Sequence, residues 1–386
     1  MQGLGLRRST VIDWPTLMRF KRRFTDPVPS ARLAAFQRVG IATFQGQARF
    51  LGPDCLSVGD EILESRHFLV AAGARARPLG IPGEAQLITS TDFLELDRLP
   101  KRIAFVGGGY ISFEFAHVAQ CAGAQTIILA RGTPLAQFDQ DLVRRLVQHT
   151  SEIGGDVRPH TTVTAIERGK NGYQILVETT SGPGIVEADL VVHGAGRVPQ
   201  TEGLELGKAN VATDAIGSVL VNKFLQSVSN PRVYAAGDVS LLPGKLPLTP
   251  VAAYESSIVG SNLLKGNSRT PDYRGIPSVV FSIPPLARVG LTETEARGQQ
   301  QDIWIKMEDT SSWYSNRRVN EDCAMFKTIV EKGSDRVLGA HLLGTHADEV
   351  INLFALAIRE GVTATALKHQ IYAYPTTGSD VPYMLR

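Results

Sequence analysis

Three consecutive glycines stand between a short apolar stretch and a helical stretch, and this pattern could bind a dinucleotide. A strand is predicted at 103–106 and a helix at 111–121. Gly107 would permit the tight turn, and Gly109 would let backbone amides approach a pyrophosphate at the positive end of the helix. Ser112 occupies the place of the usual third Gly or Ala. The alternative is a turn that only packs the helix closely, but the surrounding strand and helix favour a nucleotide site.

The next predicted strand, 126–129, ends at Ala130 and Arg131, where a site for NAD would offer an acidic residue to the ribose. No carboxylate is present there. A guanidinium can form charge-assisted, bidentate hydrogen bonds with a ribose 2′-phosphate, so Arg131 favours NADP(H) over NAD(H). The alternative for Arg131 is an ordinary solvated arginine of a surface loop.

The elements that would position these residues belong to a chain of 386 residues, which predicts two or three domains. The net charge of +2 is spread without basic blocks, so neither nucleic acid nor an anionic membrane is indicated as a partner. No segment approaches the roughly 20 uninterrupted apolar residues that span a bilayer, and a cytoplasmic protein is expected. Cys55, Cys121 and Cys323 have no metal or dithiol spacing and are expected to be isolated reduced thiols.

The apolar patterns predict an α/β chain followed by an α+β region. The segment 68–72 is a continuous apolar run that ends at Gly73, which is typical of a strand buried on both faces. A hairpin is expected to turn at Asn171-Gly172, and the α+β region is expected to begin near Tyr273. The other predicted elements are a helical segment at 14–39 broken at Pro27 and Pro29, short strands from Ile41, a helix at 142–153, strands at 190–192, 279–281 and 337–343, and a helix at 348–359 stopped by Gly361.

Two further segments, at 234–238 and 248–252, carry short motifs. Residues 234–238 read Tyr-Ala-Ala-Gly-Asp, and residues 248–252 read Leu-Thr-Pro-Val-Ala. They resemble motifs of the flavoprotein disulfide reductases, the family of glutathione, lipoamide and mercuric reductases, in which the aspartate accepts a hydrogen bond from a ribityl hydroxyl of FAD. An aspartate after a glycine could instead cap a turn. The resemblance implies flavin contacts at Gly237, Asp238, Thr249, Pro250, Val251 and Ala252.

Two weaker segments agree with this resemblance, which covers the whole chain. The run ending at Gly73 resembles the strand and turn that leave the family's FAD domain, and Gly196-Arg197 begins a sequence similar to the GRxPN element that closes its NAD(P) domain. The implied fold is α/β, with two Rossmann-like nucleotide-binding domains, the FAD one incomplete, followed by an α+β dimerisation domain and a homodimer as the assembly. The implied segments are 1–97 for the first part of the FAD-binding domain, 98–214 for the NAD(P)-binding domain, 215–272 for the return segment of the FAD-binding domain and 273–386 for the dimerisation domain.

The resemblance also supplies a candidate cofactor-binding residue, Tyr110, and two candidate catalytic residues, Glu114 and Tyr374. Tyr110 and Glu114 hold the places of a tyrosine that gates the nicotinamide pocket and of a glutamate beside the flavin. Their four-residue spacing puts both on one helix face. The family pairs that glutamate with a lysine beside its redox cysteines, and this chain does not contain that part of the pattern. Glu114 could therefore be an orphan or a partnered helix carboxylate.

Near the C-terminus the family carries HPTxxE, whose histidine serves as acid and base for the thiols. This sequence has Tyr374-Pro375-Thr376 at that place. A tyrosine with its ordinary pKa of about 10 is a poor proton acceptor near neutrality, although it can donate a hydrogen bond. The orienting carboxylate is lost unless Asp380 substitutes for it, so the electron acceptor stays open.

Two other departures limit the expected chemistry. No strand followed by GxGxxG precedes Ile103, and no CxxxxC pair is present. We expect a chain that begins late in the FAD domain, with an unpaired apolar strand edge at 68–72 or 233–236 and low solubility. The predicted function is hydride transfer from NADPH to FAD without the dithiol. The alternative is a non-catalytic NAD(P)-binding dimer or an inactive gene fragment.

Overall fold

The described part of the chain forms two compact units. The computed structural model describes residues 12–386. The first unit contains residues 12–19, 78–195 and 274–386, and the second contains residues 20–77 and 196–273. Parallel and antiparallel sheets with helices occur in the chain, so the predicted mixed α/β class is confirmed.

In the first unit, the glycine turn at residues 107–109 follows a strand of a parallel sheet. Its order is Leu190–His193, Arg102–Val106, Gln125–Leu129 and Asp156–Arg158. The four apolar residues that end the Arg102–Val106 strand are all buried, as a strand covered on both faces requires. The helix Tyr110–Cys121 connects this strand to Gln125–Leu129, and the helix Gln140–Glu152 follows with Asp139 as its N-cap. The predicted βαβ unit is therefore confirmed.

An antiparallel three-stranded sheet follows in the first unit. Thr161–Gly169 pairs with Gly172–Thr179, which also pairs with Gly182–Ala188. The hairpin turns at the predicted place, where Gly172 has φ +122° and a Cβ atom would lie 2.3 Å from the carbonyl oxygen of Ala188. Only glycine fits such a position without displacing backbone. The third strand of this sheet was not predicted.

The C-terminal part of the first unit is an antiparallel sheet with a helix packed on it. The strand order is Ser278–Val280, Leu286–Gly290, Val337–Leu343, Met325–Glu331 and Ile303–Asp309. The helix Ala347–Glu360 buries Val350, Ile351 and Phe354, and it ends at Gly361, which adopts φ +70°. This left-handed glycine is the predicted helix stop. The central strand and the helix confirm the α+β prediction, whereas Ile303–Asp309 and Met325–Glu331 had not been identified.

The second unit contains a two-stranded parallel sheet of Phe68–Val70 and Val233–Ala235. Residues 225–227 bridge the outer edge of Val233–Ala235 through the antiparallel pair Gln226 and Tyr234, whereas no strand of residues 12–386 pairs with the other edge of Phe68–Val70. The prediction that the first strand is buried on both faces is wrong, because Phe68 and Val70 point into the core while Leu69 is 42% exposed. Alternation along a strand places neighbouring side chains on opposite faces, and only one face is covered here.

The remaining helices range from 4 to 17 residues in length. The predicted helical segment is interrupted near Pro27, as expected. Its helices are Trp14–Thr25 and Val28–Arg38, and the other helices are Ser90–Leu94, Thr249–Lys265, Glu293–Gly298, Tyr314–Arg317, Ala364–His369 and Val381–Met384, with 3₁₀ turns at Glu84–Gln86, Leu206–Ala209, Gly237–Val239 and Thr377–Asp380. The other strands are Ala48–Phe50, Cys55–Val58, Glu61–Glu64, Ala74–Ala76, Arg197–Pro199, Val219–Leu220 and Ser240–Leu241. Among the helices of residues 12–386, none combines the length and apolar character needed to cross a bilayer.

Candidate functional site

The glycine turn of the first unit joins its central strand to the helix Tyr110–Cys121. Gly107 has φ +113°, and a Cβ atom there would lie 2.4 Å from the carbonyl oxygen of Gly194. Gly109 is the helix N-cap with φ −88° and ψ 179°, and the nearest atom to its added Cβ is 3.4 Å away. Gly107 is therefore required by the fold itself. An added Cβ at Gly109 would make only ordinary van der Waals contact, so the protein itself does not require glycine there, and the position lies at the helix N-terminus, where phosphates bind.

Ser112 packs inside the unit. It is 0% exposed, and its hydroxyl has no hydrogen-bond partner among the described residues. A Cβ atom on Gly194 would lie 2.1 Å from the Ser112 hydroxyl oxygen. The close approach of helix and strand at this point matches the packing part of the third glycine's role. No direct contact of Ser112 with a ligand follows from its position.

Arg131 lies exposed just beyond the strand Gln125–Leu129. The preceding residue, Ala130, donates its N–H to the carbonyl of Arg158 at 2.9 Å, and its own carbonyl accepts the N–H of Thr161 at 2.9 Å. The backbone before Arg131 is thereby fixed at the carboxyl end of the parallel sheet. Ligands of open α/β sheets bind at this end.

Glu114 and Tyr110 lie one turn apart on the crossover helix. Glu114 Oε1 accepts the backbone N–H of Phe281 at 2.9 Å, so it is not the orphan that the missing lysine suggested. Burial raises the pKa of Glu114 although this hydrogen bond opposes the shift. Tyr110 is 47% exposed. Glu114 is thus a partnered carboxyl that holds a proton more readily than an exposed one.

His117, on the same helix Tyr110–Cys121, contacts Ile283, which lies two residues after Phe281. Its Nδ1 lies 3.0 Å from the backbone nitrogen and 3.1 Å from the carbonyl oxygen of Ile283, and its Nε2 lies 2.9 Å from the Thr150 hydroxyl oxygen. Burial lowers the pKa of His117 to about 4, so the ring is neutral. Its role is structural, and sequence reasoning did not single it out.

Gly73, Gly196 and Arg197 are brought together in the second unit. The strands Ala74–Ala76 and Arg197–Pro199 pair antiparallel. Gly73 and Gly196 adopt φ +68° and φ +100°, and the Arg197 guanidinium donates to the carbonyl of Ala74. Together these residues hold the backbone where the two short strands pair. None of these contacts by itself indicates a ligand.

Gly237 and Asp238 form a turn directly after the strand Val233–Ala235. Gly237 has φ +74°, and its added Cβ would lie 3.3 Å from the Cβ of Ala252. The turn therefore contacts the first turn of the helix Thr249–Lys265, which contains all four predicted residues of the flavin-ring segment and has no side-chain cap. Asp238 is half-buried, and no hydrogen bond to its carboxylate is found within residues 12–386. A carboxylate and unbonded helix amides thus lie in one region.

A buried group that sequence reasoning missed holds this turn. Glu255 is 0% exposed, and its Oε2 accepts the N–H of Gly237 at 2.7 Å and an N–H of Lys245 at 3.1 Å. Its Oε1 accepts the hydroxyl of Tyr273 at 2.5 Å. Burial lowers the pKa of Lys245, and burial together with Glu255 raises the pKa of Tyr273. We call Glu255, Lys245 and Tyr273 the Glu255 cluster.

Helical periodicity offered a signal for Glu255. The buried face of the helix Thr249–Lys265 contains Val251, Glu255, Ile258 and Val259. Their spacing of four, three and one residues defines one side of a helix, so Glu255 falls on the apolar side. A charged residue at such a position predicts a buried partner.

Tyr374 lies in the first unit and is 78% exposed. Its ring stacks on that of Tyr314 with centroids 6.4 Å apart and an interplanar angle of 23°. Asp380 does not take the place of an orienting carboxylate for Tyr374, because it accepts the hydroxyl of Ser315. Burial raises the pKa of Asp380. The tyrosine hydroxyl therefore remains a hydrogen-bond donor with no carboxylate partner identified in the described chain.

The three cysteines are free, as expected. Cys55 is half-buried, Cys121 is exposed and Cys323 is buried. Burial raises the pKa of Cys323 to about 12, which leaves almost no thiolate near neutrality.

The site residues therefore form two groups, and each group belongs to one unit. Gly107, Gly109, Tyr110, Ser112, Glu114 and Arg131 belong to the first unit, as does Tyr374, whereas Gly73, Gly196, Arg197, Gly237, Asp238 and Thr249 to Ala252 belong to the second. A glycine turn at a parallel strand in one unit and a Gly-Asp turn beside a helix N-terminus in the other are features of a nucleotide-dependent oxidoreductase.

Comparison with known families agrees with this class. The profile of the pyridine nucleotide-disulphide oxidoreductases matches residues 32–256, and the profile of the dimerisation domain of the same family matches residues 276–384. The chain belongs to the pyridine nucleotide-disulphide oxidoreductase family. The resemblance identified from the motifs is confirmed.

Individual relatives cover most or part of the chain. An uncharacterised 19.7 kDa protein of a mercuric resistance operon in Staphylococcus aureus is 49% identical over 182 residues, which make up 47% of this chain and all of that protein. Glutathione reductase of Burkholderia cepacia is 30% identical over 96% of this chain and 82% of that enzyme. The structure of the HOCl-induced flavoprotein disulfide reductase RclA from Escherichia coli has a TM-score of 0.88 at 26% identity, over 96% of this chain and 85% of that one.

Proposed function

We propose that the chain is an oxidoreductase that uses NADPH and FAD, with the first unit binding NADPH and the second binding FAD. FAD, when bound, would accept a hydride from the nicotinamide and pass the electrons to an acceptor. The observation that carries the proposal is the Gly237–Asp238 turn, which presents a half-buried carboxylate beside an uncapped helix N-terminus. Family membership adds the expectation of both nucleotides.

The residues of the second unit fit the ribityl and ring end of a flavin. The carboxylate of Asp238 would accept a ribityl hydroxyl, as the family resemblance implies. The amides of Thr249 and Val251 would donate to the polar edge of the ring. Pro250 has no N–H to donate, and the N–H of Ala252 already donates to the carbonyl of Leu248 at 3.0 Å, so Ala252 would contact the ring by packing. Gly73, Gly196 and Arg197 would hold the adjoining backbone.

The residues of the first unit fit NADPH. Gly107 would keep the turn tight, Gly109 would let the pyrophosphate reach the helix amides, and Ser112 would hold the helix close to the sheet. Arg131 would bind the 2′-phosphate, and Tyr110 would cover the nicotinamide. NAD is the less favoured nucleotide, because no carboxylate follows the second strand.

Glu114 and Tyr374 are the proposed residues of the reaction itself. Burial raises the pKa of Glu114, so this carboxyl takes up a proton more readily than an exposed one and would be suited to proton exchange near a reacting ring. Tyr374 would donate a hydrogen bond to the electron acceptor. We also propose a homodimer formed through residues 276–384, the part matched by the dimerisation profile.

Arg131→Ala tests the nucleotide preference. We expect the Kd for NADPH to rise about tenfold and the Kd for NADH to stay unchanged, because only NADPH carries the 2′-phosphate that a guanidinium binds. Titration of the purified chain with both nucleotides measures this. Arg168→Ala, at an exposed arginine of the hairpin, is the control. Equal effects on NADH and NADPH would show that Arg131 does not read the phosphate.

Asp238→Asn tests the flavin site. We expect the purified wild-type chain to be yellow, and the Kd for FAD to rise about tenfold in the variant, because an amide accepts the ribityl hydroxyl more weakly than a carboxylate. The visible absorbance after FAD titration measures both. Asp214→Asn makes the same change at a turn carboxylate that binds the N–H groups of Ile216 and Ser218. A colourless wild-type chain that binds NADPH but not FAD would favour the non-catalytic alternative.

A further inference from the structure

Gly237 is held by side chains at both of its backbone polar groups. Its N–H donates to Glu255 Oε2 at 2.7 Å, and its carbonyl accepts Lys245 Nζ at 2.5 Å. The N–H belongs to the peptide before Gly237, and the carbonyl belongs to the peptide that leads into Asp238. Both peptide planes around this glycine are therefore fixed, which sets the direction in which the Asp238 side chain leaves the backbone.

The donors of the Glu255 cluster are used within the second unit. Lys245 Nζ also lies 2.6 Å from the Ser240 hydroxyl oxygen and 3.1 Å from Glu255 Oε2, which uses its three donors. The side chains of Lys245 and Glu255 are 5% and 0% exposed. Tyr273 occupies the second oxygen of Glu255. A cluster of this kind is suited to hold its neighbours rather than to bind a ligand.

Burial of this ion pair is an inefficient way to stabilise a short turn. Removing two charges from water costs about as much as their attraction returns, so well-packed apolar residues usually stabilise a fold at least as well. An ion pair can instead select one geometry, because the charges tolerate little displacement from their partners. The bonds of this pair end on the residue before Asp238, which is where accurate placement of a ligand-binding carboxylate would be needed.

We propose that the Glu255 cluster is a positioning device for the flavin site: Glu255, Lys245 and Tyr273 hold Gly237 so that Asp238 meets the ribityl chain of FAD in one orientation. This inference rests on the proposed function, because it requires that FAD binds at Asp238. Neither Glu255 nor Lys245 touches the flavin in this account. The backbone of Gly237 transmits the effect of Glu255, and the Coulombic attraction between Lys245 and the Asp238 carboxylate adds to it for Lys245.

Glu255→Gln and Lys245→Met, made in the full chain, test the proposal. We expect each to raise the Kd for FAD about tenfold and to change the visible absorption and induced circular dichroism of the flavin that still binds, since one charge-assisted hydrogen bond to Gly237 is weakened or lost. Tyr273→Phe removes only a hydroxyl and is the milder variant, with an expected change of about threefold. It keeps the test valid if the two other variants do not fold.

Glu293→Gln is the matched control, because Glu293 bonds a different buried lysine, Lys327, at 3.2 Å. This control should leave the Kd and the flavin spectra unchanged even if it lowers the unfolding temperature. The proposal is overturned if folded cluster variants bind FAD with the affinity and dichroism of the wild type. A wild-type chain that binds no FAD would overturn the proposed function first, so the two failures are distinguishable.

Discussion

Gly109→Ala should weaken NADPH binding about a hundredfold in a chain that stays folded. The backbone of Gly109 has φ −88°, which alanine adopts readily, and the added methyl group would lie no closer than 3.4 Å to another atom. The same methyl group would stand where the pyrophosphate must approach the helix amides, so two or more charge-assisted hydrogen bonds would be lost. Thermal unfolding and NADPH titration of the same preparation separate stability from affinity.

Two other glycine substitutions serve as comparisons for Gly109→Ala. Gly107→Ala should destabilise the fold itself, because its Cβ would lie 2.4 to 2.6 Å from the backbone of Gly194 and Ala195. Gly298→Ala should affect neither stability nor NADPH binding strongly, because no atom lies within 4 Å of its added Cβ. If Gly109→Ala binds NADPH as well as the wild type, the pyrophosphate does not bind at this helix, and the nucleotide site must be abandoned.

The elements around the glycine turn were predictable because they depend on local order in the sequence. Short apolar runs define the strands Arg102–Val106 and Gln125–Leu129, and glycines mark the turn between strand and helix. Gly361 also ended its helix as expected. These features need only the periodicity and the backbone preferences of a few adjacent residues.

The partners of buried polar groups were less accessible to sequence reasoning. Glu255 contacts Lys245 ten residues earlier and Tyr273 eighteen residues later, and Glu114 meets the backbone of Phe281 across 167 positions. Periodicity can place such a residue on a buried face, but it does not name the partner. The exposure of Leu69 was not predicted for a similar reason. An apolar run shows which residues are present, but it does not show whether other elements cover both faces of the strand.

Lys327 illustrates the same limit, and its side chain joins distant parts of the first unit. Its Nζ lies 2.9 Å from Asp139 Oδ2 and 3.2 Å from Glu293 Oε2, and it also donates to Asp141. The side chains of Lys327 and Asp139 are 3% and 5% exposed. Asp139 is also the N-cap of the helix Gln140–Glu152. One buried cation therefore contacts three carboxylates from two separate segments of the chain.

Lys327→Met should lower the free energy of unfolding by about 3–5 kcal/mol at pH 7, because it leaves Asp139 buried without its cation. Methionine keeps most of the side-chain volume, so the loss reports the charge. The hydrogen bond from Lys327 lowers the pKa of Asp141 below its ordinary value of 3.8. The stability gained from that bond is complete above this value and is lost as the pH falls through the lower, folded pKa.

The difference between wild type and Lys327→Met should therefore shrink on going from pH 7 to below pH 3.8. Urea unfolding at both pH values measures it. Lys332→Met is the control, since Lys332 pairs with the exposed Asp302 at 2.6 Å and should cost less than about 1 kcal/mol. A Lys327→Met chain as stable as the wild type at pH 7 would mean that Asp139 finds another partner or water, and that the buried charges do not hold these segments together.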